Sequence, residues 1–116
     1  MPSTAQEWRH RGEQHYRAGQ YEQAQSAFEK AVELEPDDAG HHLRLARALA
    51  NLAGSFKAAE SEFYRALDLS PDNADFYAEL GLFYQRFSLV DQAESMFDNC
   101  LKLSPNHPIG KRCMRV

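Results

Sequence analysis

The sequence has no long apolar run and no recognisable targeting segment. No stretch approaches the ~18 consecutive apolar residues that a bilayer-spanning helix requires. The first residues, Met1-Pro2-Ser3-Thr4, do not follow the basic and then apolar layout of a secretory signal. These absences predict a chain without a membrane span, and the cytoplasm is the default location for such a chain.

Cysteine is also scarce, and the 17 acidic residues outnumber the 13 lysines and arginines. The two cysteines, Cys100 and Cys113, are too few for a disulfide framework and too far apart for a Cys-x-x-Cys redox pair. The formal net charge is −4. The tail from Pro108 carries a charge of +3, but the acidic chain lacks the basic face that binding to a phosphate backbone would need. The sequence therefore argues against nucleic acid as a partner.

Residues typical of a catalytic or metal site are present but do not form the required patterns. No pair of the five histidines has the i, i+4 spacing of the helical His-Glu-x-x-His zinc motif. A nucleophilic cysteine needs a base and an electropositive setting, and nothing in the sequence supplies them for Cys100. His15 and His42 occupy positions that aromatic residues or leucine fill elsewhere, so we interpret them as packing residues. We predict no enzymatic activity, no cofactor and no metal.

A repeated phrase organises the rest of the chain. It ends in Pro36, in Pro71 and in Pro105, so that the prolines lie 35 and 34 residues apart. A period of about 34 residues is typical of stacked helical hairpins. The positions shared by the units are small residues and one phenylalanine: Gly12, Ala46 and Gly81; Ala24, Ala59 and Ala93; Phe28, Phe63 and Phe97.

On these residues the sequence resembles the tetratricopeptide repeat (TPR) family. The resemblance covers three helix-turn-helix units, at residues 5–38, 39–73 and 74–107. It implies an all-α fold, a right-handed superhelix or α-solenoid, with residues 108–116 as a partial capping helix. Because this last helix is short, we expect either that the chain is a fragment of a longer protein or that another chain covers its end. We favour the fragment.

Local signals predict where the helices lie. We expect helices at about 5–18, 21–35, 39–52, 56–69, 74–87 and 91–103. Ser3 or Thr4 should cap the first helix and Asp37 or Asp38 the third, because such side chains accept hydrogen bonds from unpaired backbone N–H groups.

Three packing expectations follow from the same pattern. Gly19 should end the first helix in a left-handed conformation, and Gly12 should allow a close approach of the second helix. The second helix should bury Ala24, Phe28, Ala31 and Leu34. Arg11 stands where the later units have Leu45 and Leu80, which indicates an exposed edge at the first unit.

The family resemblance implies a concave groove formed by the first helix of each unit, in which a peptide or helix of a partner protein would bind. Arginines around two leucines predict an acidic partner segment with an aliphatic anchor. The groove residues predicted by analogy are Arg9, Glu13, Tyr16, Leu43, Arg44, Arg47, Asn51, Asp75, Glu79, Leu82 and Arg86.

One subtype of the family grips the carboxylate tail of heat-shock chaperones with Lys, Asn, Asn, Lys and Arg. The matching positions here hold Arg9, Glu13, Arg44, Asp75 and Glu79. Two of them are acidic where a cation is required, and carboxylates would repel the ligand. We therefore do not expect this chain to bind chaperone tails through such a clamp.

The expected function is a non-enzymatic protein–protein interaction module, since the family resemblance implies a scaffold whose side chains select the partner. The alternative is a structural module that self-associates through its uncapped C-terminal end. Concentration-dependent sedimentation separates these two hypotheses. The sequence alone does not identify the partner.

Overall fold

The computed structural model describes residues 2–113, with side chains described as far as residue 111, and this range is entirely helical apart from its turns. The predicted helix bounds are correct to within two residues, which is the usual variation at helix ends. The expected all-α helical repeat is therefore confirmed. The helices are α1 (Ala5–Arg17), α2 (Tyr21–Leu34), α3 (Ala39–Ala50), α4 (Phe56–Leu69), α5 (Ala74–Arg86), α6 (Val90–Leu103) and α7 (Pro108–Cys113).

The helices pack as hairpins within two compact units, Met1–Leu69 and Ser70–Val116. In the first unit α1 packs on α2, α2 on α3, and α3 on α4. In the second unit α5 packs on α6, and α6 also contacts α7. No helix within residues 2–113 is long and apolar enough to cross a bilayer.

A side-chain hydrogen bond caps the N-terminus of α1, of α3 and of α5. The Thr4 hydroxyl accepts a hydrogen bond from the backbone N–H of Glu7 at 3.1 Å, so Thr4 caps α1. Asp38 caps α3 in the same way through the N–H of His41, at 3.2 Å. Of the two predicted pairs, Thr4 and Asp38 are the capping residues, because each of them directly precedes the first turn of its helix.

The turn inside each hairpin contains one residue in the left-handed region. Its φ is 76° at Gly19, 77° at Gly54 and 61° at Ser88. The expectation for Gly19 is confirmed. Ser88 adopts a conformation that side chains disfavour, and it holds the position that glycine fills in the two earlier hairpins.

Two glycines allow the helices of a hairpin to approach closely. A Cβ atom placed on Gly12 would lie within 2.9 Å of three ring carbons of Phe28. Gly81 has the same relationship to Phe97. The expected role of Gly12 is confirmed, since the aromatic ring occupies the volume that any side chain would need.

The core consists mainly of small residues and phenylalanines, with one error in the predicted face of α2. Ala24, Phe28 and Ala31 are buried as expected, but Leu34 is 51% exposed. Leu34 is the last residue of α2, so no further turn packs beside it. At about 100° per residue it also lies off the centre of the buried stripe.

The first and last helices of the chain lie at its two edges. Arg11 is exposed, while Leu45 and Leu80 at the matching positions are buried, in agreement with an exposed edge at the first unit. At the other edge, Gly110 of α7 lies against Leu101 and Cys100 of α6. Residues 114–116 of the predicted tail lie outside the described residues.

Candidate functional site

A cleft in the first unit gathers most of the predicted groove residues of α1 and α3. It has a volume of about 310 Å³, and we call it the arginine cleft. Leu43, predicted to face the same groove, is instead 5% exposed, so its side chain belongs to the core. The cleft is lined by Glu13, Tyr16, Arg17, Phe28, Arg44 and Arg47.

Glu13 is the electrostatic centre of the cleft. Its Oε1 accepts hydrogen bonds from Nη1 of Arg9 at 2.8 Å and lies 3.2 Å from Nε of Arg44. Its Oε2 lies 3.8 Å from Nη2 of Arg17, one turn along α1. Arg9 is held further by Gln6, whose Oε1 accepts from Nε at 2.9 Å. One carboxylate therefore joins cations from two helices that are distant in sequence.

Among the three arginines that pair with Glu13, Arg44 has the least exposed side chain, at 29% against 31% for Arg9 and 76% for Arg17. Burial is the largest cause that lowers the pKa of its guanidinium. The charge of Glu13 raises this pKa, Arg9 lowers it, Asp38 raises it and Arg47 lowers it. Arginine stays protonated in spite of such shifts. Charges of both signs thus act on this guanidinium, beside the larger effect of burial on its pKa.

Polar and aromatic contacts fix the wall of the cleft. The rings of Tyr16 and Tyr21 meet edge to face, with centroids 5.3 Å apart. The Asn51 side-chain amide donates to the Tyr16 hydroxyl at 3.4 Å and to the Arg47 carbonyl at 3.0 Å. Asn51 thus links the first hairpin to the second. The Tyr16 side chain is held by the Tyr21 ring and by the Asn51 amide.

The predicted residues of α5 lie in the second unit. Asp75 accepts a hydrogen bond from Nε2 of His107 at 2.6 Å, so it already has a partner at the start of α7. The Arg86 guanidinium lies 5.6 Å from the centroid of the Phe87 ring. Glu79 and Leu82 are partly exposed.

His42 fills a packing position, as expected, but the sequence pattern did not reveal its polar partners. Its Nδ1 lies 2.7 Å from Oε1 of Glu62, and its Nε2 lies 2.8 Å from the carbonyl oxygen of Pro36. Both neighbours are hydrogen-bond acceptors, so each contact is a hydrogen bond when the facing ring nitrogen carries a proton. Spacing within one helix could not identify a partner 20 residues away.

One cluster could in principle hold a metal ion. The ligand atoms of Glu35, Asp38 and His41 lie within 4.8 Å of one another. However, Nε2 of His41 is 2.8 Å from Glu35, and its buried Nδ1 has no hydrogen-bond partner among the described residues. Metal ligation at Nε2 would move the proton to Nδ1 and leave a buried donor unpaired. The geometry fits an Nε2–H of His41 that donates to Glu35 better than an Nε2 that ligates a metal.

Comparison with known proteins places this geometry in a family. Two family models, each described as a tetratricopeptide repeat, match residues 11–74 and residues 74–107. No curated protein sequence matches the chain.

Solved structures have the same fold at low sequence identity. An Arabidopsis OM64 TPR domain is 21% identical, with a TM-score of 0.84, 95% of this chain and 90% of that chain covered. The first TPR of Spaghetti (RPAP3), bound to the HSP90 peptide SRMEEVD, is 21% identical with a TM-score of 0.85, covering 97% and 90%.

YrrB, described as a TPR protein with an unusual peptide-binding site, is 22% identical with a TM-score of 0.88. The similarity covers 99% of this chain and 59% of YrrB. With more than half of its residues matched by the first family model and the helical hairpins observed directly, this chain belongs to the tetratricopeptide repeat family.

Proposed function

We propose that this chain is a non-enzymatic protein-interaction module that binds a peptide or helix of a partner protein. The observation that carries the proposal is the arginine cleft, where the carboxylate of Glu13 faces the guanidinium groups of Arg9, Arg17 and Arg44. Arg47 also lines this cleft. Two of the similar structures are described as a peptide complex and as a protein with a peptide-binding site. These descriptions support a peptide as the kind of ligand.

The charges of the cleft favour an acidic segment. A guanidinium group pairs with a carboxylate through two parallel hydrogen bonds, which gives both attraction and orientation. Arg44 and Arg47 lie on α3 and take part in the same cleft as Arg17. A segment with several glutamate or aspartate side chains is therefore the partner chemistry that we propose.

The α5 residues form a second set of proposed contacts. Leu82 is the aliphatic anchor in this proposal, since Leu43 is buried and Leu82 is partly exposed. Within the second unit, Glu79 and Asp75 would repel acidic side chains of a partner and attract its lysine or arginine side chains.

The test uses a labelled peptide of alternating glutamate and leucine, with a glutamine-and-leucine peptide as the neutral probe. We expect the chain to bind the acidic probe and to lose that binding after combined Arg44→Glu and Arg47→Glu substitution. Leu82→Ala should weaken binding measurably, because anchor residues dominate such interfaces.

A matched control reverses two charges on α4, with Lys57→Glu and Arg65→Glu, both of which are exposed. This control should bind the acidic probe like the wild type, and circular dichroism should show unchanged helicity in both double variants. Equal binding by the Arg44/Arg47 variant would exclude the arginine cleft as the binding site. Sedimentation at increasing concentration then tests the alternative, self-association.

A further inference from the structure

Glu13 occupies the place in the arginine cleft that a bound carboxylate would take. We propose that Glu13 is an internal competitor, which an acidic partner must displace from Arg44 before it can bind fully. This inference rests on the proposed function, since it concerns how the same cleft selects its ligand. It makes Glu13 a specificity-determining residue rather than a direct attractor of the partner.

The contacts of Glu13 have the form of a ligand contact. A single oxygen, Oε1, lies 2.8 Å from a nitrogen of Arg9 and 3.2 Å from a nitrogen of Arg44. These cations come from α1 and α3 and converge on one point, which is how a cleft holds an anion. An incoming carboxylate would need the same donors.

Glu13 can be displaced because neither it nor its partners are fully buried. The side chain of Glu13 is 26% exposed, and those of Arg9 and Arg44 are 31% and 29% exposed. Water and ligand atoms can therefore reach the ion pairs from the open side of the cleft. A deeply buried pair would cost several kcal/mol to break, but a partly exposed pair costs much less.

A second cation offers Glu13 an alternative partner. Arg17 lies one helical turn further along α1, with its Nη2 3.8 Å from Oε2 of Glu13. Its side chain is 76% exposed, so it can follow a rotation of the Glu13 side chain. We infer that Glu13 moves towards Arg17 when a ligand carboxylate pairs with Arg44. Glutamate and arginine at i, i+4 spacing are well placed for this exchange.

The charge balance explains why an anion still binds. Among the described residues that line the arginine cleft, Glu13 is the one with a carboxylate, and it faces Arg9, Arg17 and Arg44 directly. The cluster remains positive after Glu13 is counted. A ligand with one carboxylate only exchanges one ion pair for another when it replaces Glu13, so little binding free energy results. A ligand with several carboxylates can also pair with the other arginines of the cluster. The cleft should thus prefer multiply charged segments.

The decisive variant is Glu13→Gln, which removes the charge and keeps the size of the side chain. We expect it to bind the glutamate-and-leucine probe about tenfold more tightly than the wild type, a modest value for a partly exposed charge. The matched control is Glu33→Gln, which removes the same charge from an exposed position on α2. This control should leave the affinity unchanged.

A second measurement needs no peptide. Without Glu13 the arginines repel one another, so Glu13→Gln should lower the melting temperature at low ionic strength. Glutarate, a small dicarboxylate, should restore it more than sodium chloride at equal ionic strength, because glutarate can bridge the guanidinium groups. Equal effects of glutarate and chloride on the variant would contradict a carboxylate site at this point.

The outcomes separate the two proposals. If Glu13→Gln binds the acidic probe no more tightly while the Arg44/Arg47 reversal abolishes binding, the competitor role is wrong and the proposed function stands. If Glu13→Gln binds the acidic probe more weakly than the wild type, Glu13 supports binding and the competitor role is also wrong. If neither the wild type nor Glu13→Gln binds the acidic probe, both proposals are wrong.

Discussion

Gly81 of α5 lies directly against the ring of Phe97 in α6. A Cβ atom at Gly81 would fall 2.5 Å from Cε1 of that ring and within 2.9 Å of two other ring carbons. Phe97 is 1% exposed and cannot move into solvent. The closeness of the two helices in this hairpin therefore depends on the absence of a side chain at residue 81.

Gly81→Ala should destabilise the fold by about 1–3 kcal/mol, because overpacking a well-filled core forces side chains or backbone to shift. In a helix exposed to solvent the same substitution would stabilise by up to about 1 kcal/mol. Urea unfolding measures the difference. Combination with Phe97→Leu should recover part of the loss, whereas a Gly81→Ala variant as stable as the wild type would contradict the close contact.

The pairing of His42 with Glu62 predicts a measurable coupling across the second hairpin. His42 is 5% exposed and hydrogen-bonded on both sides of its ring. Removing either partner alone should cost about 1–3 kcal/mol, since a buried polar group loses its bond. In a double-mutant cycle of His42→Phe and Glu62→Gln, we expect a coupling free energy of at least about 0.5 kcal/mol. Additive effects would show that the pair does not form.

Glu7 and Thr4 form a reciprocal cap at the start of α1, and this cap predicts a pH dependence. The hydrogen bond from the Thr4 side chain and then that from the Ser3 backbone lower the pKa of Glu7 below its ordinary value of 4.5. A lowered folded-state pKa means that the contribution to stability is complete above pH 4.5 and is lost as the pH falls through the folded value. An NMR titration of the Glu7 carboxyl checks the direction.

Thr4→Ala provides the control for that titration, because it removes the hydroxyl that bonds to Glu7 at 3.0 Å. The pKa of Glu7 should rise towards 4.5 in this variant, and α1 should fray at its first turn. An unchanged Glu7 titration in Thr4→Ala would mean that the hydroxyl contributes nothing to the shift.

The contact of α7 with α6 predicts that the tail protects Cys100. Cys100 is fully buried, and burial followed by the charge of Asp75 raises the pKa of its thiol. In a Cys113→Ser background Cys100 is the only thiol, and it should react slowly with iodoacetamide. Deleting residues 108–116 should speed the reaction several-fold. The fraction of Cys100 present as thiolate and the access of iodoacetamide to its sulfur should both increase.

The same deletion should bare apolar surface around Leu101, which Gly110 now contacts, and light scattering should detect association at high concentration. If the truncated chain alkylates at the rate of the longer chain and remains monomeric, α7 does not cover this end.

Much of the fold could be predicted from the sequence because the relevant signals are local. Helix periodicity, the proline spacing and the left-handed residue at Gly19 depend on neighbouring positions along one chain segment. The roles of Gly12 and Arg11 followed from comparing equivalent positions of the repeat. Leu34 was misjudged, because periodicity does not report where the end of a helix loses its cover.

The candidate site was predicted less completely. Its residue types were identified on α1 and α3, and most of them line one cleft. The burial of Leu43 and the use of Asp75 by His107 were not visible in the sequence. Each depends on what packs beside the residue rather than on its place in the repeat.

The sequence by itself determined the family, the helical hairpins and the small residues that let them pack, since these follow from spacing within and between repeats. Only the tertiary structure decided that Glu13 pairs with Arg44, that Glu62 pairs with His42 and that Thr4 rather than Ser3 caps α1. The physical reason is that an ion pair between two helices requires a distance of a few ångströms. That distance is set by how the helices pack and by side-chain rotamers, neither of which a repeat pattern contains.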